Sequence, residues 1–502
     1  MAVWFILNGI CKSKMEIPGE IVSTKTVAGQ YSAVAYRAAR IQYWNEYATA
    51  SPRYERSRRY YRRRLAELYR FFIPPGMRVL ELGCGQGDLL ASLHPSYGVG
   101  IDLSPVMIDS ARLRHPEIRF FTVDAHELDL HEKFDYVICS DLVNEVWDVQ
   151  RILEMVKLHC FPATRFILNL HSNLWQGPRH LAARVGLARP QMIQNWLTPE
   201  DISNLLYLAG FEVIRTSNEI LWPIYTPLVA GFCNRVLVKC WPFCYFGLTN
   251  VVIARPRPTE PLPTPIVSVV VPARNEAGNI PAIFDRVPNM GRGTELIFVE
   301  GGSTDPTYDT IKREMELRQR PMTSLLRQSG KGKGDAVRLG FAHASGEVLM
   351  ILDADLTVAP EDLPRFYDAW VSGKGDFVNG VRLIYPMEEG AMRFFNLLGN
   401  KFFSLAFSFL LGQNVKDTAC GTKVLSRAHY EPILANRTYF GDYDRFGDFD
   451  LLFGAAKFNL RIVDLPIRYR ERTYGETKMQ RWRIGWLLIR MVFLGLRRLK
   501  FV

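Results

Sequence analysis

The sequence predicts an α/β protein of two domains, each built around a largely parallel β-sheet. The chain has 502 residues, which is more than one hydrophobic core usually supports. In both halves, apolar β-branched segments are followed by glycine-rich or acidic turns and then by helical patterns. That alternation is typical of parallel strands joined by helices. A proline-rich stretch at residues 255–265 separates the two halves.

The proline-rich stretch predicts a linker. It contains five prolines at near-alternate positions, and proline continues neither a helix interior nor a central strand. Such a segment favours an extended, semi-rigid spacer of ~3.1 Å per residue that keeps the two sheets apart. We therefore expect a first domain over residues 1–255, a linker over 256–265 and a second domain over 266–502.

The composition favours an intracellular protein with anionic partners. The formal net charge is +11, which suits nucleotide diphosphates, nucleic acid or an acidic membrane surface. The eight cysteines lack paired zinc-site spacing, so we interpret them as reduced thiols in the cytoplasm. The apolar run at residues 3–10 has no basic lead and no small-residue cleavage site, so we expect no signal peptide there.

Three strand ends in the first half carry candidate ligand-binding residues. The segment Val79-Leu80-Glu81-Leu82-Gly83-Cys84-Gly85-Gln86-Gly87 predicts a strand and a glycine-rich turn, where backbone without Cβ atoms lets a ligand approach closely. A second strand ends at Asp102, an acid able to accept both hydroxyls of a ribose. A third strand, residues 118–123, precedes Asp124 and Ala125, where the acid is placed to reach an adenine edge.

The remaining segments of this half are less specific. Residues 43–72 are basic, and they predict a helix with Leu65, Leu68 and Phe71 or Phe72 on its inner side rather than a nucleic-acid arm. Residues 211–220 and 247–255 predict a sixth and a seventh strand. The apolar insertion between them, residues 221–246, is interrupted by prolines and charges and is not a membrane span. It lies on a membrane, covers a substrate pocket or is a packing helix.

This half resembles the class I S-adenosylmethionine-dependent methyltransferases, with a Rossmann-like seven-stranded sheet. The resemblance implies contacts of Gly83 and Gly85 with the methionine end of the cofactor, of Asp102 with its ribose, and of Asp124 and Ala125 with its adenine. A carboxylate at Glu81 suits a cationic methionine amine. The rival interpretation is a nicotinamide-binding fingerprint, which requires the pattern Gly-x-Gly-x-x-Gly. In this sequence the third glycine comes one residue too early for that pattern.

The central segment of the second half predicts a metal site. The apolar run at residues 348–352 reads as a buried strand and ends at Asp353 and Asp355. Side chains at the carboxyl ends of strands in an open α/β sheet project into the ligand crevice. Two carboxylates there suit Mg²⁺ or Mn²⁺, which take oxygen ligands and commonly keep waters and substrate phosphates.

The second half closely resembles glycosyltransferase family 2, with a GT-A type, Rossmann-like fold. Its nearest likeness within that family is to the polyprenyl-phosphate (dolichyl-phosphate) mannosyl- and glucosyltransferases. The resemblance covers residues 267–478 and rests on the strand at 266–271, the acidic pair above and three later motifs. Those motifs are Asp417-Thr418-Ala419-Cys420-Gly421-Thr422-Lys423, Gly447-Asp448-Phe449-Asp450 and Arg472-Thr473-Tyr474-Gly475-Glu476-Thr477-Lys478.

The resemblance assigns roles to particular residues. It places Pro272 and Glu276 in the nucleotide base and ribose pocket. Asp353 and Asp355 hold the metal, Asp353 also meets the nucleotide sugar, and Lys333 meets its phosphates. Arg472 and Lys478 close over the diphosphate or the acceptor phosphate.

Two positions carry further expectations. Asp417 is a general base in relatives with hydroxyl acceptors, whereas with a phosphate acceptor it positions the acceptor, the metal or Lys423. Glu300-Gly301 replaces the usual Asp-Asp pair, and Arg274 replaces a common aromatic residue. Glu300 is still expected at the nucleotide sugar, but the choice between a GDP- and a UDP-hexose stays open.

Two segments predict contact with a membrane surface. Residues 394–411 are rich in phenylalanine and leucine, and residues 481–502 combine an apolar run with the basic cluster Arg497, Arg498 and Lys500. At ~1.5 Å per residue the apolar run of the tail covers ~20 Å, less than the ~30 Å of a bilayer core. An interfacial helix is expected, and two ordinary core helices are the alternative.

The sequence therefore predicts a bifunctional enzyme at the cytosolic membrane face. It transfers a hexose from a nucleotide sugar to a polyprenyl phosphate with inversion, and it methylates an unidentified glycan, lipid or small molecule. Alternatively, the first domain binds S-adenosylmethionine only to regulate the transferase. Nucleic acid is not an expected partner, because the turn at Ser140-Asp141-Leu142-Val143 lacks the paired prolines of base methyltransferases.

Overall fold

The computed structural model describes residues 32–49, 55–185, 192–385, 394–441, 447–472, 474 and 481–502. The first half contains α1 (Ala33–Thr49), α2 (Glu55–Phe72), β1 (Arg78–Leu82), α3 (Asp88–Ser92), β2 (Tyr97–Asp102), α4 (Pro105–Arg114), β3 (Arg119–Thr122), β4 (Phe134–Ser140), α5 (Val149–Leu158), β5 (Cys160–His171), α6 (Gln176–Arg184), α7 (Pro199–Leu208), β6 (Phe211–Glu219), α8 (Val229–Arg235) and β7 (Thr249–Pro256).

The second half contains β8 (Ile266–Ala273), α9 (Ile280–Arg286), β9 (Gly293–Glu300), α10 (Thr307–Arg318), β10 (Thr323–Arg327), α11 (Lys333–His343), β11 (Val348–Ile351), α12 (Leu363–Val371), β12 (Phe377–Val381), α13 (Phe394–Leu411), β13 (Lys423–Ser426), α14 (Arg427–Ala435), α15 (Asp448–Lys457), β14 (Ile462–Pro466) and α16 (Arg481–Gly495). A short π-helical segment, Leu496–Lys500, follows α16.

The first sheet has seven strands in the order β3-β2-β1-β4-β5-β7-β6. Strands β1 to β5 pair in parallel, and β7 pairs antiparallel with both β5 and β6. In β1, Val79, Leu80 and Leu82 are fully buried, as expected for a parallel strand covered on both faces. The strand order reverses between β1 and β4, because β2 and β3 lie on one side of β1 while β4 and β5 lie on the other. In open α/β sheets, ligands bind at such a switch point. The predicted α/β fold of this half is confirmed.

The second sheet also has seven strands, in the order β10-β9-β8-β11-β13-β12-β14. Strands β10, β9, β8 and β11 pair in parallel, whereas β13 is antiparallel to both β11 and β12. The valines of β8 are all buried, and β11 is buried throughout. The strand therefore ends at Ile351, and Asp353 and Asp355 follow in the turn beyond its carboxyl end.

The two halves pack directly against each other, contrary to the expectation that the linker keeps the sheets apart. The buried carboxylate of Asp376 accepts hydrogen bonds from Arg165 (2.7 Å) and Arg255 (2.6 Å) of the first half. Asn459 binds Arg165 and Arg215 of that half at 2.8 and 2.7 Å. Proline spacing sets the stiffness of a linker but carries no information about the surfaces that it joins.

Candidate functional sites

A large cavity of about 1170 Å³ opens over the carboxyl ends of the first strands in the amino-terminal half. Helices α1 and α2 contribute part of its wall, with Tyr36, Arg40 and Tyr61 among the lining residues. All six residues predicted to bind the cofactor line it, namely Glu81, Gly83, Gly85, Asp102, Asp124 and Ala125. The structure thus brings the three strand-end motifs to one site, and their individual contacts with a ligand stay predictions.

Glu81 is a buried acid with an unused oxygen. Burial raises its pKa well above the ordinary value, although a backbone hydrogen bond from Leu90 lowers it in part. Among the described residues, its Oε2 atom has no hydrogen-bond partner. A buried carboxylate without a partner is costly, and a cationic amine would relieve that cost. The residue therefore fits the amino group of a methionine moiety.

Asp102 holds the glycine-rich turn and keeps lone pairs for a ligand. Its Oδ2 accepts from the Gly85 backbone at 2.9 Å, and its Oδ1 accepts from Ser104 at 2.9 Å. Gly83 and Gly85 have φ values of 69° and 54°, a region that favours glycine. Each carboxylate oxygen has two acceptor sites, so Asp102 can bind ribose hydroxyls while it orders the turn.

Asp124 is held by a histidine and an arginine. His126 lies 2.6 Å from its Oδ1 and Arg37 lies 3.3 Å from its Oδ2. Burial raises the pKa of Asp124, but the hydrogen bonds from His126 more than offset this, so the net shift is downward. Ala125 begins the short 3₁₀ turn that follows. Asp124 is thus a fixed acceptor at the cavity wall.

A polar cluster at the end of β4 was missed by sequence reasoning. The Tyr61 hydroxyl lies 2.9 and 3.0 Å from the two carboxylate oxygens of Asp141, and His171 Nε2 lies 3.9 Å from Oδ1. Burial raises the pKa of Tyr61 well above its usual range, and the Asp141 charge adds to the rise. Tyr61, Asp141 and His171 all line the cavity. They come from α2, the turn directly after β4 and the end of β5, so sequence spacing gives no sign of the cluster.

In the second half, the two predicted metal ligands each pair with a cation. Asp353 Oδ1 lies 2.6 Å from Lys333 Nζ, and Asp355 Oδ2 lies 2.6 Å from Arg472 Nη2. Burial alone would lower the pKa of Lys333, but the carboxylates of Asp353 and Asp448 raise it overall. Four of the predicted site residues therefore meet, although they are up to 139 positions apart in the chain (333 to 472).

Arg472 joins the acidic pair to Glu276. Its second nitrogen, Nη1, lies 3.3 Å from Glu276 Oε1, and Asn279 donates to Oε2 of the same carboxylate at 2.8 Å. Burial raises the pKa of Glu276 to about 6, against the opposing charge of Arg472. The side chain of Tyr474 lies so close to Gly278 that a Cβ there would collide with its ring. The Arg472 segment therefore covers the loop after β8.

Two glycines of the later motifs allow close packing at this site. A Cβ on Gly421 would collide with the carboxylate of Asp353 and with Lys333 Nζ. A Cβ on Gly447 would come within 2.7 Å of the Gly334 Cα atom, and Gly447 also has a φ of 78°. Both motifs thus lie against the phosphate-binding turn that sequence analysis predicts.

Asp417 binds an arginine that sequence reasoning missed. It is almost fully buried and receives two hydrogen bonds from the Arg382 guanidinium, at 2.7 and 2.9 Å. Burial raises the pKa of Asp417, but Arg382 lowers it overall. Lys423 Nζ instead binds the Cys420 carbonyl at 2.6 Å and Asn379 at 3.1 Å. Asp417 therefore orients Arg382, and the expected link to the Lys423 ammonium is not formed.

The other predicted residues lie at the same end of the sheet or outside the described residues. Pro272 is in β8, and Glu300 ends β9 and accepts a backbone hydrogen bond from Ser303 at 2.5 Å. Lys478 lies outside the described residues.

Among the residues that are described, no three His, Cys, Asp or Glu side chains cluster as metal ligands. Two partly exposed carboxylates nevertheless supply the hard oxygen donors that Mg²⁺ and Mn²⁺ prefer.

The segments expected at a membrane each present both a buried and an exposed side. In α13, Phe407 and Leu411 are buried while Leu405 is exposed, and in α16, Met491 is buried while Phe493 is exposed. Within the described residues, no helix has the length and apolar character needed to cross a bilayer. Lys500 of the basic cluster packs 4.2 Å from the Phe409 ring centroid, and burial lowers its pKa to about 8.

Comparison with known families assigns a domain to each half. A model described as "Methyltransferase domain" matches residues 54–216, and one described as "Glycosyl transferase family 2" matches residues 268–434. Curated relatives from Salmonella paratyphi B and Salmonella newport are named undecaprenyl-phosphate 4-deoxy-4-formamido-L-arabinose transferase. Each is 27% identical over 216 residues, which cover 42% of this chain and 62% of the relative.

Solved methyltransferase structures are similar to part of this chain. A possible histamine N-methyltransferase from Thermotoga maritima is 17% identical, with 44% of this chain and 99% of that chain covered and a TM-score of 0.33. Magnesium protoporphyrin IX methyltransferase from Synechocystis, solved with bound S-adenosylmethionine, is 17% identical, with coverages of 44% and 97% and a TM-score of 0.30. On the family matches, the chain joins a methyltransferase domain to a glycosyltransferase family 2 domain.

Proposed function

We propose that the second domain transfers a hexose from a nucleotide sugar to a polyprenyl phosphate with inversion, in a reaction that needs Mg²⁺ or Mn²⁺. The observation that carries this proposal is the four-residue network of Asp353, Asp355, Lys333 and Arg472. It places two carboxylates and two cations at the carboxyl ends of strands. The carboxylates suit a divalent cation, and the cations suit a diphosphate.

Ligand binding would replace these ion pairs with contacts to the metal and the diphosphate. Without ligand, each carboxylate is compensated by a cation of the protein, since a buried uncompensated charge is costly. Asp353 and Asp355 would hold the metal, which when bound neutralises charge on the leaving diphosphate. Lys333 and Arg472 would then bind phosphate oxygens, while Glu276 accepts hydrogen bonds from the nucleoside. The sequence departure at Glu300 leaves both GDP- and UDP-hexoses as candidates.

A phosphate acceptor explains the environment of Asp417. An oxygen of the acceptor phosphate attacks the anomeric carbon, and the bond to the nucleoside diphosphate breaks on the opposite side. The phosphate is already anionic at neutral pH, so no general base is required. Asp417 is buried and bound by Arg382, which suits a positioning residue better than a base. The curated relatives are named for undecaprenyl phosphate, which supports a lipid phosphate acceptor here.

The first domain is proposed to bind S-adenosylmethionine and to methylate an acceptor. The unpartnered Glu81 oxygen and the Asp102 carboxylate at the cavity wall support cofactor binding. In this role, Glu81 holds the cofactor amine and Asp102 holds its ribose, while the cofactor supplies an electrophilic methyl group. A domain that binds the cofactor only to regulate the transferase is the second candidate. Isothermal titration together with a methylation assay on membranes separates the two.

We place the protein at the cytosolic membrane face, as a peripheral protein. The interpretation of the eight cysteines as reduced thiols suits a reducing compartment, and the exposed apolar sides of α13 and α16 support contact with lipid. Nucleotide diphosphate sugars and acidic lipid both suit the net charge of +11.

The test is sugar transfer by the full chain. The protein is incubated with membranes and labelled nucleotide sugars, and labelled glycolipid is identified by mass. Asp355→Ala should abolish transfer and leave S-adenosylmethionine binding intact, whereas Asp309→Ala, at an exposed position of α10, should change neither. Near-normal transfer by the Asp355 variant with Mg²⁺ or Mn²⁺ present would disprove the metal assignment.

A further inference from the structure

The insertion at residues 221–246 presents a dense set of large apolar side chains to solvent. Leu228 is 92% exposed and Trp241 is 79% exposed. Ten exposed side chains lie within these 26 residues: Trp222, Ile224, Tyr225, Leu228, Val229, Phe232, Trp241, Phe243, Tyr245 and Phe246. Single exposed apolar residues are ordinary on a soluble protein, but a cluster of this size marks an interaction surface.

Helices α13 and α16 of the second domain add to the exposed apolar surface. Their exposed side chains recur at i, i+3 and i+7, so that each set lies on one side of its helix. The sets are Phe402, Leu405 and Phe409 in α13, and Trp486, Ile489 and Phe493 in α16. The opposite sides are anchored in the core, for example by Phe407 and Met491. The exposed sides are therefore part of a folded scaffold.

The carboxyl-terminal residues connect this helix pair to the insertion through α2. Lys500 lies over the Phe409 ring of α13, and the side-chain amide of Asn234 in the insertion donates to the Tyr60 hydroxyl of α2 at 3.0 Å. The last residue, Val502, accepts a hydrogen bond from Arg64 of α2. Helix α2 in turn packs on the insertion, because the ring of Tyr60 lies 5.8 Å from that of Tyr225. The insertion and the helix pair are thus neighbours across the two domains.

The charged residues of these three segments indicate the kind of partner surface that they would contact. Residues 221–246, 394–411 and 481–502 contain no Asp or Glu, although the whole chain has 51 acidic residues. They contain nine basic residues: Arg235, Lys239, Lys401, Arg481, Arg483, Arg490, Arg497, Arg498 and Lys500. Two of them have acidic partners within the protein, because Lys239 pairs with the buried Glu219 and Arg235 lies 3.9 Å from Glu67. Exposed aromatic and aliphatic side chains in segments whose own charged residues are all basic match an anionic lipid surface. An acidic protein partner would pair with the basic residues, but it would not require exposed apolar side chains on three separate segments.

The insertion also forms a wall of the cofactor cavity. Pro223 and Ile224 line the cavity, and the backbone carbonyl of Phe246 accepts a hydrogen bond of 2.8 Å from Trp175, another lining residue. The same short segment therefore faces the solvent with its aromatic side chains and the methyl-transfer cavity with others. A molecule that leaves a bilayer at this surface has direct access to the cavity.

We propose that the insertion docks on an anionic bilayer and admits a membrane-borne amphiphile as the methyl acceptor. The apolar part of that acceptor stays in the lipid, and its polar head enters the cavity beside Pro223 and Ile224. This inference rests on the proposed methyltransferase activity and narrows its acceptor from a glycan, lipid or small molecule to a lipid-linked one. It also places both reactions of the chain at one membrane surface.

The docking is tested by flotation with vesicles of phosphatidylcholine containing phosphatidylglycerol. Leu228→Ser and Trp241→Ser should each weaken binding about tenfold, since burial of one large apolar side chain has that effect. The control is Leu113→Ser, a position in α4 that is 86% exposed, and it should bind vesicles like the parent protein. Equal flotation of all three variants would overturn the docking surface.

The acceptor class is tested with methyl-labelled S-adenosylmethionine and vesicles made from the membrane lipids of the source organism. The label should enter the solvent-extractable lipid, and the Leu228→Ser, Trp241→Ser double variant should lose most of this transfer while it binds S-adenosylmethionine with unchanged affinity. Label that appears only in water-soluble or protein products would overturn the inference and leave methylation standing. A protein that does not bind S-adenosylmethionine would overturn both.

Discussion

Removal of the Asp376 carboxylate should uncouple the two domains. This side chain is buried, lies 2.7 Å from Arg165 and 2.6 Å from Arg255 across the interface, and accepts a backbone hydrogen bond from Arg461 at 2.8 Å. Asp376→Ala leaves two buried guanidinium groups without their shared anion. Breaking a buried ion pair in this way costs about 3–5 kcal/mol, a large part of the stability of a typical domain.

The assay is equilibrium unfolding in urea followed by circular dichroism. With a slope near 3 kcal/mol per M, such a loss moves the transition by about 1–2 M. Asp368→Ala, at an exposed position of the neighbouring α12, is the matched control and should move the transition little. Hydrogen exchange of residues 256–265 should also rise in the Asp376 variant, because Arg257 and Leu262 of the linker bind the facing domains through Gly210 and Val371.

The contribution of Asp376 to the free energy of unfolding should decrease at acidic pH. Burial by itself raises the pKa of Asp376, but Arg165 and Arg255 lower it overall. The stabilisation is therefore fully present above the unfolded pKa of about 3.9 and is lost as the pH falls through the lower folded value. An unfolding midpoint of Asp376→Ala equal to that of Asp368→Ala at neutral pH would refute the ion triad as the link between the domains.

Three further predictions test the sites. Asp102→Ala should weaken S-adenosylmethionine binding about ten- to a hundredfold, because charge-assisted hydrogen bonds contribute about 1.5–3 kcal/mol; calorimetry against the exposed Asp109→Ala control measures it. Burial raises the pKa of Glu276 to about 6, so affinity for GDP or UDP should fall more steeply below that pH in the parent protein than in Glu276→Gln. The variant should bind weakly and keep only the pH dependence of the nucleotide's own phosphate, whose pKa is also about 6. Phe493→Ser should weaken vesicle binding, whereas Leu317→Ser, equally exposed on α10, should not, and an unchanged Phe493 variant would exclude α16 as an anchor.

The tail is best tested by substitution of exposed side chains such as Phe493. Truncation at residue 482 would remove Leu488, Met491 and Leu499, which are buried in the core that the two domains share. Such a truncated chain would lose core packing, and loss of membrane binding would then say nothing about the tail itself. Substitution of exposed side chains keeps the core intact and isolates the lipid contact.

Local sequence patterns were enough to predict both sheets and most of the candidate site residues. Strands buried on both faces read as continuous apolar runs, and the acids at their ends, such as Asp102 and Asp353, follow the run directly. Because parallel strands align their carboxyl ends, residues that follow different strands converge without any further information. The fold class and the grouping of the Glu81, Asp102 and Asp124 motifs around one cavity were predictable for this reason.

Tertiary structure alone decided which side chains pair and which surfaces meet. Arg472 reaches Asp355 and Glu276, Arg382 takes the Asp417 carboxylate, and Tyr61 joins Asp141, all through contacts between distant segments. The domain interface at Asp376 and the shared exposure of the insertion, α13 and α16 are also products of packing. Hydrophobic periodicity and residue spacing describe one helix or strand at a time. Which side chains from different elements pair depends on how those elements are placed in space, and that placement is fixed only when the core packs.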